Sequence, residues 1–207
     1  MIPAFREITL DIASVLEKYD PAGKLELYFD ALLGENSRVN LVSRETSRDD
    51  LRRLAAESLL PFDLIDSDPV SRYLDIGTGG GFPAFPILLT QQIAEAILVE
   101  RTTKKAAAVE RIVSALRELS GSNIRIKNRT FEELKSPGLF DLVTLRLVRL
   151  TSPLLKKILP CLADRGSFIY YASPEGLNLP GSIRAETVRY RSGESDVAKS
   201  FTLMRRK

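Results

Sequence analysis

Tyr73-Leu-Asp-Ile-Gly-Thr-Gly-Gly-Gly-Phe-Pro83 is the stretch that decides the fold of this 207-residue chain. An apolar run ends in Asp75, and glycines follow at alternate positions, Gly77, Gly79 and Gly81. A buried parallel strand passes in this way into a loop whose backbone comes close to a ligand, because a side chain there would block the approach or forbid the dihedrals. The spacing is G-x-G-x-G, with Phe82 where the dinucleotide fingerprint G-x-G-x-x-G has its third glycine. No phosphate-binding G-x-x-x-x-G-K-[ST] occurs in the chain. The loop therefore points to S-adenosylmethionine (SAM) more than to NAD or ATP.

Downstream, residues 96–100 read Ala-Ile-Leu-Val-Glu, placing Glu100 at the carboxyl end of a second strand. Ligands of open α/β sheets sit outside those ends, and a carboxylate there accepts both ribose hydroxyls of an adenosine-containing cofactor. NAD enzymes use the same device, and a carboxylate also suits a helix N-terminus. Arg129-Thr-Phe-Glu-Glu133 follows a third strand where adenine contacts are usual, although Thr130 equally reads as a cap and Phe131 as core. The expected strands are 72–76, 96–100, 123–127, 141–145 and 167–171, with two later ones near 185–191 and 199–204. Between them, residues 104–119 carry Val109, Ile112, Val113 and Leu116 on one helical side. Such alternation specifies a mostly parallel sheet covered by helices on both faces. Residues 173–182, rich in Pro, Gly and Ser, form the one long loop.

Upstream the rhythm is helical. Ile8, Ile12, Val15, Leu16 and Tyr19 share one face, ended by Pro21 and Gly23; Leu25, Tyr28, Phe29 and Leu32 make a second. Ser47 is placed to cap a third helix carrying Leu51, Leu54, Ala55, Ser58 and Leu59. The expected division is an N-terminal helical cap over residues 1–68 and a cofactor-binding domain over 69–207.

Composition narrows the chemistry. At 44% hydrophobic the chain can bury one good core, no apolar segment approaches membrane-spanning length, and the first residues lack the order of a signal peptide. A single cysteine, Cys161, excludes an internal disulfide and fits a cytoplasmic protein. The absence of histidine removes the usual triads, histidine acid–base catalysis and most zinc sites, so no metal is expected. The net charge of +3 conceals an asymmetry: residues 1–70 hold 8 Lys+Arg against 14 Asp+Glu, net −6, and residues 71–207 hold 22 against 13, net +9. The excess gathers in Arg101, Lys104, Lys105, Arg111, Arg117, Arg125, Lys127 and Arg129, then in Arg146, Arg149, Lys156 and Lys157, then in the 205–207 tail. These are either solvated helix faces or a footprint for a nucleic-acid backbone.

The motifs together resemble the RsmG (GidB) family of bacterial small-subunit rRNA methyltransferases. The likeness runs from about Leu25 to the end, through Asn40-Leu-Val-Ser43, Leu51-Arg-Arg53 with Glu57-Ser58, the glycine loop, Phe140-Asp-Leu-Val143 with Arg146, and residues 199–207. Its most specific element is Asp75-Ile-Gly-Thr-Gly-Gly-Gly-Phe-Pro-Ala-Phe-Pro86, where the family carries D-[VI]-G-[ST]-G-x-G-x-P-G-[IL]-P. The resemblance implies a Rossmann-like methyltransferase fold, α/β, with a seven-stranded mostly parallel sheet containing one antiparallel strand and preceded by a small helical element. It implies methyl transfer from SAM to N7 of a guanine in 16S rRNA, on naked RNA or the small ribosomal subunit, by a cytoplasmic monomer. Asp75, Gly77, Thr78, Gly79, Gly81, Phe82 and Glu100 would hold SAM, Thr130 and Phe131 would flank the adenine, and Arg146 would serve both cofactor and catalysis. Arg52, Arg53, Arg101, Lys104, Lys105 and Arg149 would meet RNA.

That chemistry suits a chain without histidine. Guanine N7 has a free lone pair and no proton, so attack on a methyl group needs no general base. Exocyclic-amine methylation usually uses an [DNS]-P-P-[YFW] turn, but the corresponding place reads Leu145-Arg-Leu-Val-Arg149; Cys161 reads as a buried thiol rather than a nucleophile. The chain departs from the family at several places. The R-H-x-x-D-S segment has Leu54 and Glu57 at its His and Asp positions, R-A-[FV]-A reads Arg146-Leu-Val-Arg149, Glu35 replaces a tryptophan before Asn36, and Ala172-Ser-Pro-Glu-Gly176 lacks a lysine–glycine pair. Two alternatives stay open at this point: a SAM-binding, RNA-binding protein with weakened catalysis, and a nucleotide-dependent oxidoreductase.

Overall fold

The structure is a computed structural model describing residues 4–65, 70–135, 138–192 and 197–206. Its strands are β1 (Ala4–Leu10), β2 (Arg72–Ile76), β3 (Glu95–Val99), β4 (Asn123–Lys127), β5 (Phe140–Leu145), β6 (Leu162–Tyr170), β7 (Ile183–Ser192) and β8 (Lys199–Arg206). The helices are α1 (Ile12–Tyr19), α2 (Lys24–Asn36), α3 (Arg48–Leu59), α4 (Ala84–Thr90), α5 (Thr103–Ala115), α6 (Arg117–Ser120) and α7 (Ser152–Ile158). All eight strands form one sheet in the order β1-β7-β8-β6-β5-β2-β3-β4. Only β8 runs against its neighbours β6 and β7, so the single antiparallel strand is as expected.

The count of seven strands is corrected to eight, and the correction lies at the N-terminus. Residues 4–10 pair in parallel with β7 from Ala4↔Glu186 to Leu10↔Ser192, so Ile8 lies in a strand rather than on the first helical face. That helix begins only at Ile12, where the Asp11 side chain accepts a hydrogen bond from the Ser14 N–H at 3.1 Å. Asp20 accepts from the N–H groups of Lys24 and Leu25 and so starts α2. Ser47 and Asp50 form a reciprocal capping box on α3, as the sequence predicts.

Parity along the central strands shows why they read as continuous apolar runs. Tyr73, Ala96, Leu98 and Leu142 face the cluster built by α1 to α5, with Tyr28, Phe29, Leu51, Phe85 and Ile112. Leu74, Ile76, Ile97, Val99 and Val143 face the other cluster, with Leu154, Leu155 and Ile158 of α7. A sheet covered on both faces needs apolar side chains at successive positions. The exceptions in these strands are Asp75, 1% exposed, and the fully buried Thr144. Among the described residues no helix is long and apolar enough to cross a membrane.

Candidate active site

From β2 the chain steps to β3 and β4 on one side, while β5 and β6 build the other. The crevice outside the carboxyl ends at such a reversal is where open α/β sheets bind ligands. A cavity of about 740 Å³ occupies it, within the range of small-molecule sites.

The floor is the glycine loop. The N–H groups of Gly77 and Thr78 both donate to the Val99 carbonyl, at 2.8 and 2.9 Å, locking the loop to the end of β3. Gly77 has φ +75°, and a Cβ there would lie 2.7 Å from Val148 Cγ2. Gly81 has φ +98°, and its Cβ would overlap the Phe85 ring. Both positions exclude a side chain by backbone and by space. The Tyr28 hydroxyl of α2 donates to the Gly80 carbonyl at 2.9 Å, and Phe82 meets the Tyr28 ring edge-on at 5.3 Å. The N-terminal helices thus support the loop from behind.

Gly77, Thr78, Gly79, Phe82, Glu100, Thr130, Phe131 and Arg146 all line the cavity, while Asp75 and Gly81 do not. Asp75 sits one residue before the lining, with one carboxylate oxygen accepting from Thr144 Oγ1 at 2.5 Å and the Thr78 hydroxyl beside the carboxyl. Burial pushes its carboxyl up to about 6. Glu100, 6% exposed, accepts from the Gly79 N–H at 3.0 Å and the Thr102 N–H at 2.7 Å. A carboxylate has about four acceptor positions, so two remain for hydroxyls of a ligand. The Thr78 hydroxyl is buried on the cavity wall beside the Asp75 carboxyl. Thr130 caps the short 3-10 turn of residues Phe131–Glu133, Phe131 is buried in the core, and both line the cavity.

Arg146 has partners that the sequence did not reveal. Its guanidinium donates to Glu57 at 2.6 Å, to the Ser58 hydroxyl at 3.2 Å and to the Leu54 carbonyl at 3.3 Å, all on α3. Glu57 is fully buried, and its second oxygen takes Lys199 of β8 at 2.5 Å. Tyr171 completes the cluster: its hydroxyl donates to the Ser58 carbonyl at 2.6 Å, and its ring lies 5.6 Å from the Arg146 guanidinium carbon. Glu57 therefore anchors Arg146 on the cavity wall between two cations. Glu35, at the place of the family's tryptophan, instead holds Arg111 of α5 through two hydrogen bonds.

The basic residues fall into two groups. Arg52 is engaged by Glu26 and Asp49, and Arg53 by Asp50. Arg101, Lys105, Arg129 and Arg149 lie around the cavity, with exposed Lys104 beside them; among the described residues none of the five makes an ion pair. Cys161 is buried away from the cavity, and burial pushes its thiol up, as an inert thiol requires.

Two contributions escaped the sequence reading. Leu41 and Val42 line the cavity because Asn36 Oδ1 accepts both their N–H groups, at 2.8 and 3.0 Å; the motif residues Asn36 and Asn40 were the visible signal. Leu147 also lines it, with no comparable signal.

A glycine loop, a carboxylate at the end of the next strand and this strand order define a Rossmann-like methyltransferase. The fold matches an O-methyltransferase from Bacillus cereus in complex with SAH at TM-score 0.62 and 13% identity, covering 95% of this chain and 100% of that one. An rRNA methylase from Streptococcus thermophilus matches at TM-score 0.50 and 16% identity, over 72% and 95%. The chain belongs to the GidB family, rRNA small subunit methyltransferase G, whose model matches residues 22–177. Ribosomal RNA small subunit methyltransferase G of Magnetococcus marinus is 31% identical over 170 residues, 81% of this chain and 74% of the relative. Its counterpart from Syntrophotalea carbinolica is 30% identical over 172 residues, 83% and 77%. Membership closes the oxidoreductase alternative that the glycine spacing alone left open.

Proposed function

We propose that this protein transfers a methyl group from SAM to N7 of a guanine in 16S rRNA. The observation that carries the reading is the placing of Arg101, Lys105, Arg129 and Arg149, which make no ion pair among the described residues, around a cavity lined by the glycine loop and Glu100. Glu100 offers its two remaining acceptor positions to ribose hydroxyls, the Thr78 hydroxyl and loop backbone hold the polar end, and Phe131 packs beside the adenine. Bound SAM supplies an electrophilic methyl group. The residues need only orient the guanine and exclude water, because N7 gives up no proton, and the absence of histidine is consistent with that. Arg146 acts by position and charge, not as a base. Arg149 and the free cations hold phosphates, whereas Arg52 and Arg53 rank below them because neighbouring carboxylates already engage them.

Helices α1 to α3 act as a cap, with α2 buttressing the glycine loop, while β1 belongs to the sheet, and the protein works as a cytoplasmic monomer. The test is transfer of labelled methyl from SAM to small ribosomal subunits from a strain lacking the endogenous modification, beside calorimetric titration of SAM. Label in 16S rRNA is expected. SAM binding without label would leave a binding protein in place of the enzyme.

A further inference from the structure

Leu147 is the one residue other than glycine with positive φ among the described residues, at +58°, and its side chain is 99% exposed. Its neighbours explain the backbone. Arg146 turns inward to Glu57, and Val148 turns inward onto Gly77, so the residue between them is forced outward at the rim of the cavity. Glycine suits that conformation best, and leucine is disfavoured there both by its backbone and by its exposure to water. Inside the protein the side chain earns nothing. The surroundings indicate what it meets: Arg149, Arg101 and Lys105 share the rim and make no ion pair among the described residues. An apolar side chain ringed by free cations matches a polyanion that also presents apolar faces, which is a nucleic acid.

We propose that Leu147 is an RNA-contacting wedge, filling the gap left in the base stack when the target base enters the cavity. This rests on the rRNA methyltransferase reading above. Guanine N7 in a stacked A-form helix lies in a deep groove that side chains do not reach, so the base has to leave the stack. Leucine is among the side chains that proteins insert between bases at such a step. The cation ring fixes the backbone on either side, and the strained turn presents the wedge ready-formed.

The test compares wild type with Leu147→Gly, Leu147→Ala and Leu147→Met in single-turnover methyl transfer to unmodified small ribosomal subunits. Calorimetric titration with SAM and thermal melting accompany each. Leu147→Gly relieves the backbone and should melt no lower than wild type, with unchanged SAM affinity and transfer slowed roughly tenfold or more. Leu147→Ala should be slowed similarly, and Leu147→Met should retain most of the rate. Transfer by the Gly and Ala variants within about twofold of wild type would overturn the wedge while leaving the enzyme reading intact. Absence of transfer by the wild-type protein would overturn both.

Discussion

Burial holds the Asp75 carboxyl at about 6, well above its ordinary value of 3.8, at the end of β2. Between those values the folded protein keeps a proton that the unfolded chain releases, so stability of the ligand-free protein falls as pH rises through that window. The loss above pH 6 is about 3 kcal/mol. Asp75→Asn should therefore melt higher than wild type at pH 8, with the gap closing toward pH 4; a lower melting temperature at pH 8 would contradict this. Glu57 is fully buried between two cations. Glu57→Gln leaves Arg146, 10% exposed, without its anion, and should cost about 3 kcal/mol or more in urea unfolding. These residues also mark what was legible. Gly77 and Glu100 could be read because a backbone requirement and a strand end leave local signatures. The Glu57 cluster could not, since Arg146 lies 89 residues away and Lys199 142.

Among the elements, β1 is the instructive miss. Ile8, Ile12, Val15, Leu16 and Tyr19 satisfy a helical spacing, yet the backbone is strand as far as Leu10 because β7 offers an edge to pair with. No local pattern announces a partner strand at the other end of the chain. Strands β2, β3 and β5 were legible because their apolar runs reflect burial on both faces, and edge strand β4 because Ile124 and Ile126 alternate with polar residues. The coupling between α2 and the glycine loop is likewise a tertiary fact. Tyr28→Phe removes the hydrogen bond to Gly80 and should lower stability by about 1 kcal/mol, with weaker SAM binding in calorimetry. Gly77→Ala, meeting Val148 at positive φ, should reduce SAM binding further than Tyr28→Phe.

Over the whole molecule, the acidic N-terminal part and the basic remainder do different work. Glu26, Asp30, Asp49 and Asp50 are consumed by Arg48, Arg52 and Arg53 on α2 and α3, while Arg101, Lys105, Arg129 and Arg149 around the cavity make no ion pair among the described residues. Charge counts located both regions but could not say which cations were already paired. Replacing Arg101 and Lys105 together by alanine should weaken binding to 16S rRNA and reduce the slope of log affinity against log salt by roughly 1.5. Replacing Arg52 should change that slope little.

The central claim is the site of methylation, and N7-methylguanosine can be mapped directly because borohydride reduction followed by aniline cleaves the strand there. Small ribosomal subunits lacking the endogenous modification, incubated with this protein and SAM, should give one new cleavage in 16S rRNA at a guanosine. Methyl label in the RNA without any such cleavage would contradict N7 as the target.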